Sequence, residues 1–248
     1  MLFRSWRSDV EQAGGGTLLE HSIHDVDLLH WMLGGLPDAV SGRVSSTFGY
    51  PGIEDTATVT LDYGTHRATV VSVWHQVTTR PSTRRLEVFC EDALLWTEDD
   101  YCGPLHVETS EGTTTIVGEP PEWVERFTIP TALAKQLGQY AEPSKAFLDG
   151  LDGEVPDAAG FPDVDVALAA HRVVDLAYRS SAAGGAPMAL GEGSGSRRTH
   201  PRRTKSSTRR VSALADRSLR NRLVSAPLTV LSVNARVLAN FTVTVWPP

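Results

Sequence analysis

Glu20, His24 and Asp27 are the residues of this chain best spaced for proton chemistry. They lie within residues 13–35, AGGGTLLEHSIHDVDLLHWMLGG. On a helix, steps of four and three residues bring them to nearly the same side, and with Trp31 they span an arc of about 60°. A histidine within reach of a carboxylate can be held in one tautomer and titrate near neutral pH, which a general acid or base requires. Plainer readings stay open on spacing alone. Glu and His four apart on a helix commonly form a solvated pair worth a few tenths of a kcal/mol, about 0.2–0.5. Glu20 could serve as a helix cap partner instead. His21 and His24 also have H-x-x-H spacing, but with no cysteine or further histidine cluster nearby this is a weak metal signal.

The element that must position these residues is readable. Gly14, Gly15 and Gly16 permit a tight turn and close backbone approach. Thr17 is a good N-cap, and Thr17 with Glu20 has the T-x-x-E spacing of a capping box. The pattern predicts one α-helix over 18–33, stopped by Gly34 and Gly35. Its apolar side is expected to hold Leu19, Ile23, Val26, His30 and Leu33.

The segment GGGTLLEHSIHDVDLLHWMLG resembles the start of the C-terminal domain of the Gfo/Idh/MocA oxidoreductases, the glucose–fructose oxidoreductase and inositol dehydrogenase family. Members carry GGG, then an acidic residue, three residues and a histidine, then an apolar-rich helix ending W-x-x-G. The acidic position here is Glu20, where many members have Asp, and the histidine is His24. The resemblance implies that His24 is the catalytic acid/base at a substrate hydroxyl or carbonyl, with Glu20 beside it. It also implies an NAD or NADP cofactor, a sugar, cyclitol or related polyol substrate, and a homo-oligomer built through the sheet. It extends over residues 4 to about 185. The family's dinucleotide-binding domain, and the lysine of its E-K-P segment, have no counterpart in these 248 residues. Lys135 and Lys145 lie in a different context.

Composition sets the bounds. A hydrophobic content of 41% is that of a globular protein. Two cysteines, Cys90 and Cys102, make no disulfide framework, so a reducing, cytoplasmic setting is expected. No apolar run reaches membrane-spanning length, and the first twelve residues lack a signal-peptide core. Residues 191–248 hold 11 Lys/Arg and 2 Asp/Glu, whereas residues 1–190 hold 12 and 28. That shift marks a boundary near Gly191 and argues against general nucleic-acid affinity in the acidic part. Three regions follow: a connector remnant over 1–13, a substrate and oligomerisation domain over 14–190, and a basic tail over 191–248. The Ser/Thr/Arg-rich part of the tail is expected to be disordered, and the β-branched run after Leu223 is compatible with a strand or marginal hairpin. GEGSG at 191–195 follows no strand and reads as a linker.

Alternating polar and β-branched residues predict strands over 39–50, 54–63 and 67–76, linked by short turns and therefore antiparallel. Short strands are expected over 86–90, 93–96, 105–109 and 113–117. After Trp74, the loop offers His75, Arg80, Arg84 and Arg85. A guanidinium donates in a planar fork that suits a carboxylate or phosphate, so Asp27, His75, Arg80 and Arg84 are candidate substrate contacts. The alternative is a strand edge on which Arg84 and Arg85 pair with Glu87 or Glu91. Residues 131–150 read as a helix broken at Pro143. Residues 163–183 read as a helix with Val164, Leu168, His171, Val174, Leu176 and Tyr178 on its apolar side.

The expected fold class is α+β: a mostly antiparallel sheet of about six strands with helices on one face. The expected function is the substrate-binding half of an NAD(P)-dependent oxidoreductase acting on CH–OH groups, with the cofactor site outside this chain. The alternative is a non-catalytic binding or oligomerisation module, or a gene fragment.

Overall fold

The computed structural model describes residues 6, 9–49, 52–75, 77, 79, 83–98, 103–118, 123–124, 128–151, 164–191 and 240–246. Arg80 and residues 192–239, which include most of the basic tail, lie outside them. The chain opens with a one-turn helix, α1 (Val10–Ala13), which Asp9 caps by accepting from the Glu11 amide. A π-helical turn (Leu18–Ser22) then runs directly into α2 (Ile23–Leu33), which ends at Gly34 in the left-handed region. Three strands follow in a meander, β1 (Ala39–Ser45), β2 (Thr56–Asp62) and β3 (Arg67–Val73). Four more are β4 (Thr83–Phe89), β5 (Leu94–Thr97), β6 (Leu105–Thr109) and β7 (Gly112–Ile116). The long helices α3 (Thr131–Leu151) and α4 (Val164–Ala182) precede the two-residue β8 (Met188–Ala189) and β9 (Asn240–Trp246).

The fold is α+β, as the alternation implies, with one sheet in the order β7-β6-β5-β4-β9-β3-β2-β1-β8. The seven segments expected as strands correspond to β1–β7, and two more join them: β8 pairs with the start of β1 and β9 enters between β3 and β4. Every pairing is antiparallel except that of β3 with β9. Strands β3 and β4 therefore flank β9 and do not pair with each other. The register of β1 on β2 and β2 on β3 puts Val40, Ala57, Val59, Leu61, Ala68 and Val70 on one buried face. Period-two alternation explains this: one face is apolar and the next residue points away.

Helices α2 and α4 cover that face. Leu18 from the π-turn, Val26 and Leu29 from α2, and Ala170, Val173, Val174 and Ala177 from α4 complete the core. Small residues let α4 approach closely. A Cβ on Gly42 of β1 would stand 2.5 Å from the Ala177 carbonyl oxygen.

Two helix expectations need correction. Pro143 lies inside a continuous α3 and does not end it. A proline removes one N–H bond and crowds the preceding turn, but the turns on either side can persist. In α4 the buried face is Ala169, Ala170, Val173, Val174, Leu176, Ala177 and Ser180, while Val164, Leu168 and His171 are exposed. Close packing on Gly42 favours the small side chains over the larger apolar ones. His171 instead bonds through Nδ1 to the Ala167 carbonyl of its own helix.

Candidate functional site

The helix that carries Glu20 and His24 does not begin as its sequence suggests. Thr17 has α-helical backbone angles and its side chain caps nothing. Its hydroxyl is instead hydrogen-bonded to that of Ser72 on β3. Its amide donates to the Glu54 carbonyl at 3.0 Å. The Glu54 carboxylate takes the neighbouring donors: Oε1 accepts from Gly16 N at 2.8 Å and Leu18 N at 3.1 Å. Glu54, just before β2, thus satisfies three successive amides at the helix start, and the capping box of Thr17 and Glu20 is not formed. Helix N-termini leave such donors orphaned, and a carboxylate there is also favoured by the helix dipole.

Glu54 is itself held. The Tyr178 hydroxyl of α4 donates to Oε1 at 2.7 Å. Burial first, and then the bond to Glu54, push the Tyr178 phenol far above its ordinary range. Gly16 is required by this approach, since a Cβ there would lie 1.9 Å from the Glu54 carbonyl oxygen. An open hollow of about 490 Å³ lies over Gly15, Glu54 and Tyr178, and His24 is not among the residues lining it.

Beyond Thr17 the first turn is wide: the Ile23 amide reaches back five residues to the Leu18 carbonyl. Such π-turns recur at functional sites. The wide turn also shifts the helix face. The buried positions are Leu18, Ser22, Asp25, Val26 and Leu29, so of the expected apolar set only Val26 is fully buried. Leu19, Ile23 and Leu33 are partly buried against the core.

His24 is exposed, on the first turn of α2. Partial burial, and then the positive charge of Arg84, hold its imidazole below the usual histidine value, while Asp27 pulls it up. A neighbouring carboxylate alone would raise the value, but desolvation and the guanidinium outweigh it. Arg84, on β4, is largely buried, with Nε 3.7 Å from the Asp25 carboxylate, and Asp25 is fully buried. The charge partner found for Arg84 is thus Asp25 of the helix. Its neighbour Arg85 pairs with Glu87 and with Glu98. Nor is β4 an edge, since β5 and β9 flank it.

The charges of Asp27 and Arg84 thus both act on the His24 ring. Glu20 is half-buried within the π-turn, about one turn before His24. His75 is half-buried at the end of β3, where its Nδ1 accepts from the Val77 amide, a local bond of its own loop. His21 accepts at Nδ1 from the Trp74 indole at 3.0 Å, with the rings edge to face.

Reading the sequence missed Glu54 and Asp25. Glu54 and Asp55 look like the polar positions of a half-buried strand, yet both are buried and both bind amides. Asp55 accepts from Thr47 and Phe48 at 2.7 Å each. Two adjacent carboxylates directly before an apolar strand were the available signal. Asp25 alternates with exposed residues only if the helix is regular, and the π-turn rotates it inward.

The glycine turn of 14–16 does not offer its amides to a dinucleotide phosphate. The glycine turn of 14–16 has the composition of a phosphate loop, but its amides at 16, 17 and 18 are already occupied by Glu54. A carboxylate stands where a pyrophosphate would have to bind. Among the described residues no group of three or more His, Cys, Asp or Glu could hold a metal ion. None of the described helices is long and apolar enough to cross a membrane.

Residues 2–95 match the family model of the GFO/IDH/MocA C-terminal domain. Solved structures share the fold at low identity. An inositol dehydrogenase homolog from Azotobacter vinelandii, complexed with NAD+, is 19% identical with a TM-score of 0.57, over 74% of this chain and 51% of that one. An oxidoreductase from Agrobacterium radiobacter, in complex with NAD+, L-tartaric acid and magnesium, is 15% identical with a TM-score of 0.54, over 74% and 53%. An oxidoreductase domain protein from Kribbella flavida is 21% identical with a TM-score of 0.53, over 76% and 55%. The chain spans about half the length of these proteins. The family model matches from residue 2 into β5, and over that stretch the chain is similar to the Gfo/Idh/MocA C-terminal domain.

Proposed function

We propose that this chain is the substrate side of an NAD(P)-dependent oxidoreductase acting on CH–OH groups of sugars, cyclitols or related polyols. His24 moves the hydroxyl proton and Glu20 lies beside it. The observation that carries the reading is His24 itself: exposed, on the first turn of α2, with Arg84 and Asp27 around it. A histidine held below its usual value is neutral near pH 7 and able to accept a proton from an alcohol. Asp27 and Arg84 are suited to orient substrate oxygens, His75 is a further candidate contact, and Arg80 lies outside the described residues. The glycine turn of 14–16 is closed to a phosphate by Glu54, so the contribution read for this chain is binding, orientation and proton transfer. The solved relatives include proteins complexed with NAD+, which supports a nicotinamide partner site elsewhere in the assembly. A homo-oligomer built through the sheet is what the family resemblance implies for this chain.

The test joins this chain to a dinucleotide-binding domain and assays polyol oxidation. His24→Asn is expected to lower turnover about 10²–10⁴-fold, the range for losing a general acid/base, with cofactor affinity nearly unchanged. Full turnover in that variant rejects the assignment and favours a binding or oligomerisation module.

A further inference from the structure

Glu54 lies 34 positions from Glu20 in sequence, yet it occupies the donors that the Thr17–Glu20 capping box would have used. A capping glutamate folds back over the first turn and spends its carboxylate on a backbone amide. Here the Thr17 amide is taken by the Glu54 carbonyl, so Glu20 has no cap to serve. Tyr178 fixes Glu54 from the opposite side, and α4 is in turn locked to β1 through Ser180 Oγ, which accepts from Gly42 N at 2.9 Å. A chain of hydrogen bonds and close packing therefore runs from the core helix α4 to the turn that precedes His24.

We propose that Glu54, gripped by the Tyr178 hydroxyl, is a positioning residue that caps the helix in place of Glu20 and so sets where Glu20 and His24 stand. The proposal rests on the functional reading above only for why that placement matters. Two carboxylates compete for one set of amides, and the fold assigns them to the buried one. Without Glu54, the capping box encoded in the sequence is the next-best arrangement. Glu20 would then turn towards Thr17, the wide turn would tighten, and the residues beyond it would rotate.

The experiment uses the full 248-residue chain and nuclear magnetic resonance. Two quantities are read: exchange of the Gly16 and Leu18 amide protons, and the titration midpoint of the His24 imidazole. Glu54→Gln is expected to speed exchange at both amides about tenfold or more, because two charge-assisted bonds become weaker neutral ones. It is also expected to move the His24 midpoint by about half a unit or more, since the ring's surroundings change. Asp9→Ala, which removes the cap of α1 and the contact with Gln12, should do neither. Glu20→Ala alone should leave the two amides unchanged, whereas in the Glu54→Gln background it should speed their exchange about threefold further. An unchanged His24 midpoint in Glu54→Gln, or a Glu20→Ala effect of the same size in both backgrounds, overturns the proposal. Should Glu54→Gln not fold, Tyr178→Phe keeps both amide bonds and must still displace the His24 midpoint; no displacement overturns the proposal equally. None of these readouts needs turnover. If His24→Asn keeps full activity in the joined enzyme, the functional reading fails while the positioning claim stands on its own measurements.

Discussion

The Trp74 indole N–H donates to Nδ1 of His21 at 3.0 Å, across a span of 53 residues. An indole can only donate, so Nδ1 carries the lone pair and the proton of the neutral ring sits on Nε2. Trp74 is itself buried, and its amide donates to the Asp55 carbonyl at 2.6 Å. His21 is thereby tied to the sheet, whereas His24, three residues on, is exposed. Two histidines of one helix start thus have different surroundings, which spacing alone does not distinguish. Nitrogen-15 shifts should show His21 Nδ1 as unprotonated, and Trp74→Phe should let the tautomers mix. A protonated Nδ1 in the native protein would contradict the assignment. In the joined enzyme, replacing His21 should cost far less turnover than replacing His24.

The electrostatics of His24 give a pH dependence with a definite sign. Its folded-state pKa is lowered, by partial burial and then by Arg84. The unfolded chain therefore binds the proton more readily than the folded one. This contribution to stability is fully present above the unfolded value of about 6.5 and is lost as pH falls through the lower folded value. Arg84→Gln removes the guanidinium and should raise the His24 midpoint, narrowing that window. Asp27→Asn removes an opposing charge and should lower it further. Both shifts are measurable by imidazole titration, and a fall on Arg84→Gln would refute the arrangement.

Three glycines separate tolerance from clash. At Gly16 a Cβ would meet the Glu54 carbonyl oxygen at 1.9 Å, and at Gly42 the Ala177 carbonyl oxygen at 2.5 Å. At Gly35 nothing stands within 4 Å. Backbone cannot rotate away as a side chain can, so Gly16→Ala and Gly42→Ala should each destabilise by about 1–3 kcal/mol or more. Gly35→Ala should change stability by no more than about 0.5 kcal/mol. Chemical denaturation of the three variants decides this, and equal midpoints would refute the close contacts.

How much of this could be read from residues alone divides by range. Strands β1 to β7 are legible because alternation with β-branched residues is local, and the G-G-G turn followed by a histidine-bearing helix is legible as a motif. The π-turn is not, because its cause is distant: Glu54, Ser72 and Trp74 hold Gly16, Thr17 and His21 from outside the helix. The same holds for Arg84, whose pairing with Asp25 depends on which element packs above β4. Local preference for a capping box was overruled by tertiary contacts, and the site residues that escaped notice are those that supply them.

The position of β9 alters what proteolysis should reveal. The tail between 191 and 222 is rich in arginine, and trypsin should cut there first, leaving a core of roughly 190 residues. If β9 were outside the fold, that cut would release everything after it. Residues Asn240–Trp246 instead run between β3 and β4, parallel to the first and antiparallel to the second. A strand with partners on both sides gives up two ladders on leaving and exposes two unpaired edges. The peptide containing β9 should therefore stay bound after cleavage and co-elute with the core under native conditions, separating only in denaturant. Deleting residues 240–248 should cost stability and speed amide exchange in β3 and β4, while deleting residues 192–222 should do neither. A nicked protein that sheds the peptide without change in β3 and β4 would show that the sheet closes without β9.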